Sequence, residues 1–160
     1  MEERGNILMY QTVDGQTAIE VVLSNETVWL TIDKMADLFQ RNKSTISRHI
    51  KNILECGELS ADSVVAFFAT TARDSKVYNV QYFNLDMIIS VGYRVNSLRG
   101  VQFRMWATSV LREYLIKGFA MNDNLLKNAG GGNYFDELLS RIRDIRSSDC
   151  AVDVATALNK

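Results

Sequence analysis

TIDKMADLFQRNKSTISRHIKNIL, running from Thr31 to Leu54, is the stretch whose spacing decides the fold. Ile32, Met35, Ala36 and Phe39 recur at i, i+3, i+4 and i+7, which is one apolar face of a helix. Thr31 is placed to cap that helix, and Asp33 suits the positive end of its dipole. Gln40-Arg41-Asn42-Lys43 reads as the turn. A second helix then starts at Asn42 or Ser44, either of which can cap it. Its apolar residues are Ile46, Ile50, Ile53 and Leu54. At 100° per residue Ser44, Arg48 and Lys51 point away from them, with Thr45 and Asn52 at the edge. Two helices of this kind, with short hydroxyls and cations on the outer face of the second, form the pattern of a helix-turn-helix. Short hydroxyls allow close approach, and an arginine can bond two acceptors of a guanine edge. Ala36 and Ile46 suit the close helix crossing. Gln40 is the misfit, because glycine is usual at that turn position. The competing reading is an ordinary amphipathic helix pair whose charges are solvated.

Working outward, Ile7–Thr12 and Thr17–Leu23 flank Val13-Asp14-Gly15-Gln16, an Asp-Gly signal for a β-hairpin. Ser24-Asn25-Glu26 is a further turn, and Thr27–Leu30 a short strand leading into the helix pair. Residues 55–63 read as a loop or helix end with Gly57 as a cap. Val64–Thr71 and Val77–Phe83 flank Ala72–Lys76, a second hairpin. A hairpin after a helix-turn-helix makes a winged helix, in which Arg73 and Lys76 would sit at the wing tip near phosphate or the minor groove. A solvated turn is the plain alternative. Asn84 is placed to cap a helix from Leu85 to about Val91, interrupted at Gly92–Ser97. A longer helix is expected over Leu98–Lys117, with Phe103, Trp106, Val110, Leu111 and Tyr114 as its apolar stripe and Gly118 as its stop. Trp106 reads as core rather than as a base-stacking platform.

Residues 119–133 turn polar and end in Gly130-Gly131-Gly132-Asn133, which reads as a linker. Tyr134–Arg146 follows as an amphipathic helix with Phe135, Leu138, Leu139, Ile142 and Ile145 on one face. Such a helix needs a surface to pack on, either a second copy, giving a homo-oligomer, or its own domain. Residues 147–160 show no pattern. The expected organisation is thus an α+β winged helix-turn-helix domain over 1–118 with supporting helices, a linker over 119–133, and an amphipathic helix with an irregular tail over 134–160.

Composition narrows the function. With 47% hydrophobic and 23% charged residues the chain can bury a core, and without proline it has no Pro-rich divider. No apolar run approaches the ~20 residues needed to span a bilayer. The start MEERGN is unlike a signal peptide, so a cytoplasmic protein with no membrane partner is expected. Net charge is −1, but it is unevenly spread. Residues 31–54 hold five cations against two acids, and residues 94–117 five against one. Positive charge so segregated suits a phosphate-facing surface. Cys56 and Cys150 are too few for a disulfide scaffold or a zinc site and read as reduced thiols. The lone His49, at the edge of the apolar face of the second helix, has no partner at metal-ligand spacing and reads as a packing or phosphate-contact residue. No phosphate loop, nucleophile elbow or paired-carboxylate motif is present. The expectation is a DNA-binding protein, not an enzyme, with no cofactor, no metal and no catalytic residue. Double-stranded DNA is the expected partner, read by Lys43, Ser44, Thr45, Ser47, Arg48, Lys51, Arg73 and Lys76. The alternatives are a protein-interaction or oligomerisation module without DNA readout, and a toxin-like activity that the sequence does not display.

Three runs, VWLTIDKMADLFQRNKSTISRHIKNIL (28–54), VQYFNLDMIISVGYRVNS (80–97) and RGVQFRMWATSVLREYLIKGFA (99–120), together resemble the RhuM family of bacterial virulence-associated proteins, over about residues 7 to 146. Gln102–Gly118 is also similar, more distantly, to the end of the Bro-N domains of phage antirepressors. The resemblance implies a DNA-binding module in transcription control or in a mobile-element and virulence setting. Some RhuM relatives look fused to Fic-type domains, but the His-Pro-Phe signature of those enzymes is absent here, so that activity is not implied. Leu98 stands where the family leads one to expect lysine. After Arg146 the family pattern continues into a long helical region, whereas SSDCAVDVATALNK follows here, which suggests a truncated or frame-altered end.

Overall fold

The computed structural model describes residues 7–11, 18–24, 27–128 and 133–157. The turns read at Val13–Gln16 and Asn25-Glu26, and the run Gly130–Gly132, lie outside the described residues. The fold is α+β, with element order β1 (Ile7–Gln11), β2 (Ala18–Ser24), β3 (Thr27–Thr31), α1 (Ile32–Phe39), α2 (Lys43–Glu55), α3 (Ala61–Val64), β4 (Val65–Thr71), β5 (Val77–Asn84), α4 (Leu85–Arg94), α5 (Leu98–Lys117), α6 (Asp123–Asn128) and α7 (Asn133–Ala157). Two compact units divide it, Met1–Arg112 and Glu113–Lys160.

In the first unit the strands form one antiparallel sheet in the order β1-β2-β3-β5-β4. β3 pairs with β5 at Trp29↔Asn84 and Leu30↔Phe83, although α1, α2, α3 and β4 intervene in sequence. The helix pair is thereby inserted between two neighbouring strands. Side chains on the buried faces then meet in one cluster: Leu30 and Phe83 from the sheet, Met35, Leu38 and Phe39 from α1, Ile46, Ile50 and Ile53 from α2, Met87, Ile88 and Val91 from α4, and Phe103 from α5. Each such side chain contributes about 1.5–3 kcal/mol when removed from water. Phe39 and Phe103 meet edge to face with ring centroids 5.4 Å apart, an arrangement that aromatic quadrupoles favour.

The helix ends follow from named caps. Thr31 accepts the Lys34 N–H at 3.3 Å, Asn42 accepts the Thr45 N–H at 2.9 Å, and Asn84 accepts the Met87 N–H at 3.2 Å. α1 stops because Gln40 turns left-handed, φ 48° and ψ 53°, which lets the Arg41 N–H reach the Ala36 carbonyl at 3.0 Å. That closure normally uses glycine.

α4 does not break at Gly92, as the sequence suggested, but runs on to Arg94. Gly92 serves packing here. A Cβ on it would lie 2.6 Å from Phe103 Cε1 and 3.1 Å from Phe39 Cζ, so α5 approaches α4 this closely only over a bare backbone. Of the apolar stripe expected on α5, Phe103 alone is core. Trp106 is 37% exposed, and Val110, Leu111 and Tyr114 are 40%, 57% and 56% exposed.

The second unit holds the end of α5, then α6 and α7. Gly118 follows α5 with φ 79° and donates to the Tyr114 carbonyl at 2.8 Å. The stretch read as a linker contains α6, started by Asn122, which accepts the Leu125 N–H at 3.0 Å. Nor is the region after Arg146 irregular to its end, since α7 continues to Ala157. Nothing in SSDCAVDVATA breaks a helix, although it lacks an apolar period to announce one. No helix among the described residues is long and apolar enough to cross a membrane.

Candidate nucleic-acid interface

α2 is held by its inner face. Ile46 and Ile53 are fully buried and Ile50 nearly so, which fixes which side of the helix meets solvent. Ser44, Ser47, Arg48 and Lys51 are exposed on the outer side, with Lys43 at the helix start and Thr45 half-buried at the edge. The N-terminus is ordered by Asn42, whose carboxamide oxygen accepts both the Thr45 N–H and the Ser44 hydroxyl, each at 2.9 Å.

The cations on this face differ in their commitments. Lys43 is ion-paired with Asp33 on α1. Lys51 lies 3.6 Å from Glu55, one turn on. Glu55 falls on the same outer face by helical spacing, an acidic neighbour that the sequence reading left out. Arg48 has no ion-pair partner among the described residues. Arg41, in the turn just before α2, is likewise exposed and unpaired there. Its place before a helix start that attracts anions was the signal for including it. Around it an open polar groove is lined by Ala36, Asp37, Gln40, Arg41, Asn42 and Thr45.

His49 is half-buried. Burial chiefly, then the Arg94 and Arg48 guanidiniums, hold its imidazole below the ordinary value of 6.5. At neutral pH it is therefore an uncharged packing residue and adds nothing to the positive face.

Arg73 and Lys76 sit together on a separate element, the β4–β5 turn. β4 and β5 pair without a break from Val65↔Phe83 to Thr71↔Val77. The turn closes with the Ala72 N–H donating to the Lys76 carbonyl at 2.9 Å and the Ser75 N–H to the Ala72 carbonyl at 3.0 Å. Ser75 takes φ 62°. Asp74 accepts the Lys76 N–H at 3.1 Å and the Tyr78 hydroxyl at 3.0 Å. The hairpin tip is thus internally braced, and its two cationic side chains stand in solvent.

The second basic segment is not the open cationic surface that its count suggests. Arg94 pairs with Glu58, whose carboxyl is held low by the Ser90 hydroxyl and then by Arg94 itself. Arg99 is buried, with Gln102 Oε1 at 3.3 Å from its guanidinium. Arg104 donates to the carbonyls of Gly92 at 2.9 Å and Val95 at 3.1 Å, closing the end of α4. Lys117 pairs with Glu113 at 2.9 Å. Of the five, Arg112 has no ion-pair partner among the described residues.

A model of the virulence protein RhuM family matches residues 63–152, more than half of the chain. The chain belongs to the RhuM family. The matched stretch takes in the β4–β5 hairpin, α4, α5, α6 and most of α7. α1 and α2 precede it, so the RhuM match speaks for the frame behind the exposed face rather than for the face itself. No curated protein and no solved structure matches the chain significantly.

Proposed function

We propose that this RhuM-family protein binds duplex DNA through α1 and α2 acting as a helix-turn-helix, with the β4–β5 hairpin as a wing, in transcription control or in a mobile-element and virulence setting. The observation that carries the reading is the two-sidedness of α2. Its isoleucines anchor one side in the core, and Ser44, Ser47, Arg48 and Lys51 occupy the other. A helix so anchored can lie along a major groove without unfolding anything, with arginine and short hydroxyls at base-edge distance. Arg41 before α2 and Arg73 and Lys76 on the hairpin suit phosphate contacts that set register without reading sequence. The reading assigns no catalytic role to any residue.

The test is titration of duplex DNA at increasing salt, comparing the parent with Arg48→Ala, Lys51→Ala and Arg73→Ala. Each phosphate contact contributes roughly −0.9 to the slope of log affinity against log salt. Arg73→Ala is expected to flatten the slope by about one contact at most. Arg48→Ala is expected to weaken binding and reduce discrimination between duplex sequences. Failure to bind duplex at low salt refutes the proposal, as do variants that match the parent throughout.

A further inference from the structure

The ends of α2 are charged against the helix's own dipole. Its first residue is Lys43 and its last is Glu55, with no acid in the first turn and no base in the last. A helix is stabilised by the opposite placement, acids at the start and cations at the end. Local stability therefore does not account for these two residues. Each is instead half of an ion pair. Asp33, in the first turn of α1, meets the Lys43 ammonium, and both side chains are more than half exposed. Glu55 lies 3.6 Å from Lys51, one turn back, and this pair is equally open to solvent. All four residues belong to α1 and α2, within Met1–Arg112.

Resting on the DNA-binding reading, we infer that Asp33 and Glu55 compete with DNA phosphates for Lys43 and Lys51, and so hold down the affinity of α2 for duplex of any sequence. In the free protein Asp33 offsets the cation that the start of α2 disfavours. A phosphate arriving there offers the same countercharge, and one ammonium cannot serve both at full strength. What binding gains through Lys43 is thus reduced by what the Asp33 pair gives up, and the carboxylate left behind repels the polyanion. Lys51 is held more loosely. Lysine before glutamate at i,i+4 is the weaker of the two orders, and the separation is long. Phosphate contacts supply nearly all of non-specific affinity. Restraining two of them leaves more of the discrimination to Arg48 and the hydroxyls of α2.

The experiment measures the affinity of the full chain for a mixed-sequence duplex at low and rising salt. Asp33→Asn should bind about two- to fivefold tighter than the parent at low salt, the size expected for an exposed pair. The gain should shrink as salt screens it. Glu55→Gln should gain less. Lys43→Gln should cost more affinity in the Asp33→Asn background than in the parent, because only there is the lysine uncommitted. Asp37→Asn is the control. It removes the same charge from an exposed position one turn along α1 and should leave the cost of Lys43→Gln at its parent value. Melting followed by circular dichroism separates a structural role. Asp33→Asn loses a favourable acid from the first turn of α1, so it should melt slightly lower while binding tighter. Asp33→Asn binding no tighter than the parent, or a Lys43→Gln cost equal in all three backgrounds, overturns the inference and leaves DNA binding standing. A parent that binds no duplex overturns both.

Discussion

Gln40 ends α1 in a left-handed conformation, φ 48° and ψ 53°, and replacing it with glycine should stabilise the protein. Two opposing effects decide the size. A residue with a Cβ held in this region costs about 1–2 kcal/mol, which glycine removes. Glycine also enlarges the unfolded ensemble, which returns about 0.4–1 kcal/mol. The Gln40 side chain is exposed and makes no hydrogen bond among the described residues, so nothing further is lost on truncation. The difference is a gain of about 0.5–1 kcal/mol, or roughly 2–5 °C in melting temperature for a unit of this size. Gln40→Val is the counter-variant. A β-branched residue is least tolerant of positive φ, and it should lower stability by at least as much. Denaturant unfolding of parent, Gln40→Gly and Gln40→Val, followed by circular dichroism, gives the order glycine above glutamine above valine. If glycine falls at or below the parent while valine equals it, the turn is not strained and the account of how α1 ends is wrong.

Other outcomes follow from the packing behind the same helices. Gly92→Ala should destabilise by up to about 2 kcal/mol in urea unfolding, since overpacking against Phe103 (about 1–3 kcal/mol) outweighs the ~1 kcal/mol helix-propensity gain. Adding Phe103→Leu should cost less than it does in the parent, and strict additivity would refute the contact. Arg104→Ala should lower stability by about 1–3 kcal/mol by leaving the Gly92 and Val95 carbonyls without their charged donor. Arg104→Lys should recover part of that loss at most, because an ammonium lacks the guanidinium fork. His49 supplies a pH dependence. Its folded-state value is lowered, so as pH falls through about 6.5 the unfolded chain takes up the proton first and stability declines. His49→Gln should remove that decline between neutral pH and about pH 5, and a parent with flat stability across this window contradicts the assignment.

The helix pair was legible because its determinants are local. Thr31 and Asn42 are capping residues one position before the helices they start, and the isoleucines of α2 follow the helical period without a gap. The hairpin β4–β5 was legible for the same reason, through alternation around a polar turn. What escaped was set by neighbours distant in sequence. The left-handed turn at Gln40 is imposed by α1 and α2 packing into the same core, against local preference. The passage of α4 through Gly92 depends on Phe103 arriving eleven residues later. The helical end of α7 lacks an amphipathic signal, so its sequence reads as patternless even though nothing in it opposes a helix.

The two basic segments show why a charge count misleads. Both hold five cations, but those cations have different alternatives. Moving Arg104 to a phosphate would strip two carbonyls at the end of α4 of their donor, at the cost of about 1–3 kcal/mol expected for Arg104→Ala. Extracting Arg99 would open the packing around the start of α5, where it is 7% exposed. The surface pairs Lys43–Asp33 and Lys51–Glu55 are a different matter. Exposed pairs of this type contribute about 0–1 kcal/mol, less than a phosphate contact returns at low salt. Lys43 and Lys51 are therefore exchangeable, Arg104 and Arg99 are not, and Arg41, Arg48, Arg73 and Lys76 need release no partner. Of the two basic segments and the hairpin, the cations available to a polyanion thus lie mainly at the turn, on α2 and at the hairpin tip, with Arg112 on α5 also exposed and without an ion-pair partner among the described residues. For the same reason, Arg104→Ala should change stability far more than it changes the salt dependence of DNA binding, while Arg48→Ala should do the reverse.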